Sequence, residues 1–100
     1  MTDAQDTIEL PVFGLTLMRD EALGAVAGDG WYSIGDPRDS QCPRVVAMPR
    51  DSYVGVYRRR GGVGVSYGAS GDGVAAACAA LLAEMTPDDV AAIRALGERS

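Results

Sequence analysis

Histidine, lysine and asparagine are absent from this 100-residue chain. Without His there is no imidazole for a metal site, no partner for a Ser or Cys nucleophile, and no side chain that ordinarily titrates near neutrality. Without Lys, nine Arg carry all the side-chain positive charge. That usage points to a GC-rich genome, that of a bacterium or one of its phages. The two Cys, Cys42 and Cys78, are too few for a four-thiolate zinc site in one chain. No metal, no cofactor and no enzymatic activity are expected. Asp36, Asp39 and Asp51 are the carboxylates that a hydrolase or transferase would use, but they fall in loops, where carboxylates are ordinarily solvated, and the sequence alone pairs no two of them.

Long apolar runs are lacking too. The longest apolar run, 74–83, is ten residues, and a membrane-spanning helix needs about 20. The start, Met1-Thr-Asp-Ala-Gln-Asp6, has neither the basic end nor the apolar stretch of a secretory signal. The expectation is a cytoplasmic protein whose thiols stay reduced rather than joined as a Cys42–Cys78 bridge. Residues 1–6 read as a disordered tail and 7–100 as a single α+β domain.

What is present is ordinary for a soluble globule: 47% hydrophobic and 23% charged residues. A chain this size buries roughly two-thirds of its unfolded surface, enough for one core without staples. Aromatics are 6% of residues, so Val, Leu and Ala must fill that core around a few large anchors. Trp31, the lone indole, is expected among them.

Residues 7–18 are rich in β-branched and large apolar side chains, broken by Pro11 and Gly14. They predict an edge strand, or two short strands joined at a kink. Residues 19–27 predict a short helix with Leu23 and Val26 inward, against a rival hairpin return strand. Strands follow at 31–35 and 44–48, separated by a Pro-containing loop over 36–43. Residues 53–57 and 63–67 alternate, Val54 and Val56 on one face and Tyr53 and Tyr57 on the other, which predicts a hairpin with Arg58-Arg59-Arg60-Gly61-Gly62 as its loop. A helical stripe of Val74, Cys78, Leu81, Leu82 and Met85 follows, with Ser70 or Asp72 as N-cap. Its other face is mostly Ala. Such a face must be covered by the sheet and the last helix or offered to a second copy, and a homodimer through this helix is one expectation. Thr86-Pro87-Asp88-Asp89 opens a final helix with the stripe Val90, Ile93, Leu96 and a stop at Gly97. The expected fold class is α+β: an antiparallel sheet of four or five short strands with two C-terminal helices packed on one face.

Charge is unevenly spread. Residues 1–39 hold eight acids against two Arg, 40–68 five Arg against one Asp, and 69–100 five acids against two Arg. A basic hairpin on an acidic body points to a protein partner with an acidic surface, bound through Arg58, Arg59 and Arg60 with Tyr53, Tyr57 and Arg50 beside them. The net charge of −5 argues against nucleic acid. So does the acidic start of the last helix, where a DNA-reading helix would meet phosphates. The function expected is a small non-catalytic interaction protein, a bacterial or phage accessory or regulatory factor. The alternative is an anion-binding domain using the strand-to-helix turn at Gly68, Ser70, Gly71 and Gly73, whose backbone N–H groups would cradle the ligand. That turn lacks the phosphate-loop Lys, and Asp72 would oppose an anion.

Overall fold

A computed structural model describes residues 6–36, 38–39 and 41–99. The fold is α+β, with one antiparallel sheet whose strands lie in chain order: β1 (Thr7–Leu10), β2 (Leu15–Arg19), β3 (Tyr32–Ile34), β4 (Arg44–Met48), β5 (Tyr53–Arg60) and β6 (Val63–Ser70). Among the described residues there are six strands rather than four or five. The 7–18 run is two strands, because the turn over 11–14 breaks it. Phe13 N–H donates to the Leu10 carbonyl at 3.0 Å and Gly14 N–H to that of Pro11 at 3.1 Å. Pro11 thus sits in a turn, where its missing N–H costs no ladder bond. The tail expected over 1–6 falls outside the described residues except for Asp6, whose carbonyl accepts from Arg19 N–H. Pro37 and Ser40 of the 36–43 loop also lie outside them.

Among the described residues three α-helices accompany the sheet: α1 (Glu21–Ala27), α2 (Val74–Glu84) and α3 (Pro87–Arg99). The 19–27 segment is therefore helix, not return strand. Leu23 and Val26 do not turn inward as expected. No residue of α1 is buried and Val26 is 87% exposed. This short helix is held by its cap instead, with Asp20 accepting from Leu23 N–H at 2.8 Å. At α2 the cap is neither Ser70 nor Asp72. Ser70 stays in β6, and Gly73, at φ +110°, occupies the cap with no side-chain cap bond. Thr86 caps α3 as the sequence implies, its Oγ accepting from Asp89 N–H at 3.2 Å. Gly97 does not end α3, which continues to Arg99.

The core lies between one sheet face and the C-terminal helices. Leu10, Leu15, Leu17, Val45, Val54 and Val56 meet Ala77, Cys78, Leu81, Ile93 and Leu96. Each large side chain buried there contributes about 1.5–3 kcal/mol. α2 packs on β5 and β6 and also reaches β1, while α3 packs on β2. One helix can touch both edge strands only if the sheet curls around it. The expectation that a covering layer hides the Ala face of α2 is not met, since Ala75, Ala76, Ala79 and Ala83 are exposed. Among the described residues no helix is long and apolar enough to cross a membrane.

Candidate interaction surface

The Arg58-Arg59-Arg60 run is strand, not loop. β5 extends through Arg60, and the turn is Gly61-Gly62 alone. Both glycines have positive φ, 59° and 84°, the backbone that a two-residue hairpin turn with the right twist requires. The pleat then separates the three arginines. Arg58 and Arg60 share the face of Val54 and Val56, toward the helices, and Arg59 shares the face of Tyr53 and Tyr57.

On the helix side the basic charge is met from within. Asp89, 0% exposed, accepts from Arg58 Nη1 at 2.6 Å, from Arg60 Nη1 at 3.4 Å and from the Tyr67 hydroxyl at 2.6 Å. Asp88 adds a 2.9 Å contact to Arg58 from the surface. The Tyr67 hydrogen bond, followed by Arg58 and Thr86, holds the Asp89 carboxyl below the usual carboxylate range against the opposing effect of burial. The same bond to Asp89 raises Tyr67. Arg58 and Arg60, expected to reach a partner, therefore tie the hairpin tip to the first turn of α3. In the sequence Asp89 reads only as part of the acidic start of the last helix, which hides its role as acceptor. The signal was its position: Met85, Asp89, Ile93 and Leu96 fall at i, i+4, i+8 and i+11, which puts a charge on the buried stripe.

The opposite face of β4–β6 carries the residues left for an outside contact. Tyr53 lies across Gly55 and Gly68, and Tyr57 across Gly64. A Cβ on any of these glycines would fall 2.7–2.8 Å from a tyrosine hydroxyl. Glycine is needed there so that the rings can lie along the sheet. Between them is a groove of about 170 Å³ lined by Arg44, Val46, Tyr53, Gly55, Tyr57 and Ser66. Trp31 meets Tyr53 edge-on, centroids 6.0 Å apart, and is only half-buried, short of the core anchor expected. Arg44 Nη2 donates to Asp20 Oδ2 at 2.6 Å, and the Ser33 hydroxyl donates to the same oxygen. Arg44 Nε and Trp31 Nε1 are shielded donors with no hydrogen-bond partner among the described residues. Arg59 is exposed and makes no ion pair among the described residues.

Arg50 does not join this group. It sits in the 3₁₀ turn Pro49–Asp51 at the far end of β5 and donates to the Asp29 carbonyl. A strand of that length separates it from Arg59 by roughly 25 Å. The Gly-rich turn is not a free amide cradle either. Gly68 and Ser70 belong to β6. Gly71 N–H donates to the Ser52 carbonyl at 3.2 Å, and Gly73 N–H to the Ser52 hydroxyl at 3.0 Å. Two of the four amides expected to face an anion, those of Gly71 and Gly73, are thus taken. Of the thiols, Cys42 Sγ accepts from Asp36 N–H and donates to the Pro43 carbonyl, while burial pushes the Cys78 thiol up. Cys78 is thereby a poor nucleophile. No family model matches the chain, and neither a curated protein nor a solved structure matches it.

Proposed function

We propose that this chain is a small non-catalytic interaction protein that receives an acidic segment of a partner protein on the uncovered face of β4–β6. The observation that carries the reading is Arg59. Alone among the three consecutive arginines it projects beside Tyr57 on the open face, with no carboxylate partner among the described residues. The groove between Tyr53 and Tyr57 opens next to it, with Arg44, whose guanidinium is paired with Asp20, at its wall. Carboxylates accept hydrogen bonds and donate none when ionised, so they complement a lining of arginine, tyrosine and serine donors. Tyrosines add rigid contact area at small entropic cost. An accessory or regulatory role in a bacterium or phage accords with the Arg-only basic composition.

The test is a titration of ¹⁵N-labelled protein with an Asp/Glu-rich peptide and, separately, with a single-stranded oligonucleotide. The peptide is expected to shift amides of Arg44, Gly55, Tyr57, Arg59 and Ser66. Arg59→Glu is expected to weaken binding at least about tenfold, and added salt should weaken it further. Shifts with the oligonucleotide alone, or peptide binding indifferent to Arg59→Glu, would reject the proposal.

A further inference from the structure

The two edges of the sheet differ in how they are protected. β1 is four residues long, carries Glu9 and runs into Pro11. Charge, brevity and proline are the usual guards against strand pairing. β6 has none of them. Its eight residues, Val63–Ser70, contain no charge and no proline, and it pairs with β5 through every one of them.

The direction of its free backbone groups follows from the ladder. Gly71 N–H points to β5, since it donates to the Ser52 carbonyl. With period two, residues 69, 67, 65 and 63 point the same way, and Gly64, Ser66, Gly68 and Ser70 direct their N–H and C=O groups outward. All four are small and exposed. For Gly64 and Gly68, exposed surface is backbone surface. Gly55 shows the contrast: it lies under the same Tyr53 ring as Gly68 but inside the sheet, and it is buried.

We infer that β6 is an assembly edge: two copies of this chain pair β6 with β6, antiparallel about a two-fold axis at Ser66, and join their sheets into one. The pairing is self-complementary. Ser66 faces Ser66 of the second copy and Gly64 faces Gly68, with no bulk on the open side. On the helix side Val65 faces Tyr67, and Val63, 62% exposed in the single chain, faces Ala69. Charge favours a second copy over an arbitrary strand. Antiparallel pairing runs the hairpin end of one copy, where Arg59 is exposed and makes no ion pair among the described residues, toward Asp72 at the base of the other. Asp72 is exposed and makes no ion pair among the described residues. Arg50, at the same base, is turned to the Asp29 carbonyl. Arg59 also serves the acidic-partner reading, but the edge pairing itself uses the outward backbone groups of β6 and stands or falls separately from that reading.

Sedimentation of the full chain at submillimolar concentration should give twice the chain mass. Ser66→Pro removes one outward N–H without touching the β5 ladder and should give a monomer. Ser66→Glu, which sets two carboxylates face to face, should do the same and covers the case in which the proline variant does not fold by circular dichroism. Ser66→Cys should form a disulfide-linked dimer on oxidation, because facing residues of such a pair lie about 5.5 Å apart at Cα. Ala79→Cys, on the open face of α2, should not. A monomeric wild type overturns the inference. So does a dimer that survives Ser66→Glu, or one that cross-links through Ala79→Cys instead.

Discussion

Asp89→Ala should lower folding stability by about 3–5 kcal/mol, the cost of removing one partner from a buried charge pair. That is a large share of the roughly 5–15 kcal/mol that holds a domain together. Asp89 is fully buried and accepts from Arg58, Arg60 and Tyr67. Its loss leaves the Tyr67 hydroxyl without its acceptor inside the α3–β5–β6 junction and Arg58 with the exposed Asp88 in place of a buried partner. Asp88 cannot take over, because it is 73% exposed and a surface pair contributes only about 0–1 kcal/mol. Asp88→Ala should therefore fall within that smaller range. Replacing both members, as in Arg58→Met with Asp89→Leu, should recover much of the loss, since the desolvation of both charges disappears with them. Urea unfolding of the four proteins measures this. An Asp89→Ala cost below about 1 kcal/mol would mean that the junction is held by packing alone.

The same carboxylate sets an acid dependence. Its folded pKa lies below the ordinary carboxylate value, chiefly through the Tyr67 hydrogen bond. Asp20 is also lowered, chiefly by Leu23 N–H, with Ser33 and Arg44 adding to it. For a depressed carboxylate the unfolded chain binds the proton first. Its stabilisation is thus complete above the unfolded pKa of about 3.9 and is lost as pH falls through the lower folded value. Stability should fall on acidification below about pH 5, and less steeply in Asp89→Asn than in the wild type.

The periodicities were enough to foresee most of the elements and the faces of β5. Val54 and Val56 are buried and Tyr53 and Tyr57 lie on the open side, as the alternation requires. The same alternation, continued three residues further, places Arg58 and Arg60 inward and Arg59 outward. Charge obscured this, because three adjacent arginines read as a solvated loop while two glycines were sufficient for the turn. Asp89 was hidden for a related reason. An acid in the first turn of a helix already has a local explanation in the dipole, and its burial depends on Tyr67, 22 residues away in sequence. The α2 start failed differently. Side-chain caps at Ser70 and Asp72 are local options, but β6 holds Ser70 in its ladder and Ser52 from the β4–β5 connection takes the turn amides. The tyrosine-over-glycine arrangement follows from cross-strand register, which no single strand reveals.

Gly97→Ala should destabilise the protein by about 1–3 kcal/mol even though alanine is the better helix former. In an isolated helix interior the exchange would favour alanine by about 1 kcal/mol. Here a Cβ at 97 would lie 2.4 Å from the Gly14 carbonyl oxygen and 3.4 Å from a Leu15 methyl. The first of these is backbone in a four-residue turn, so α3 itself must lift away. Arg94 resists that lift, with Nη2 donating to the Val12 carbonyl of the same turn at 3.0 Å. Gly97→Val, with two more carbons at the contact, should cost more than Gly97→Ala. Gly24, inside α1, supplies the opposite case. A Cβ there meets Asp29 at 3.5 and 3.7 Å, ordinary contact distances, so Gly24→Ala should be neutral or stabilise by up to about 1 kcal/mol. Thermal unfolding of both alanine variants should therefore shift in opposite directions. A common sign would mean that helix propensity outweighs the approach of α3 to the β1–β2 turn.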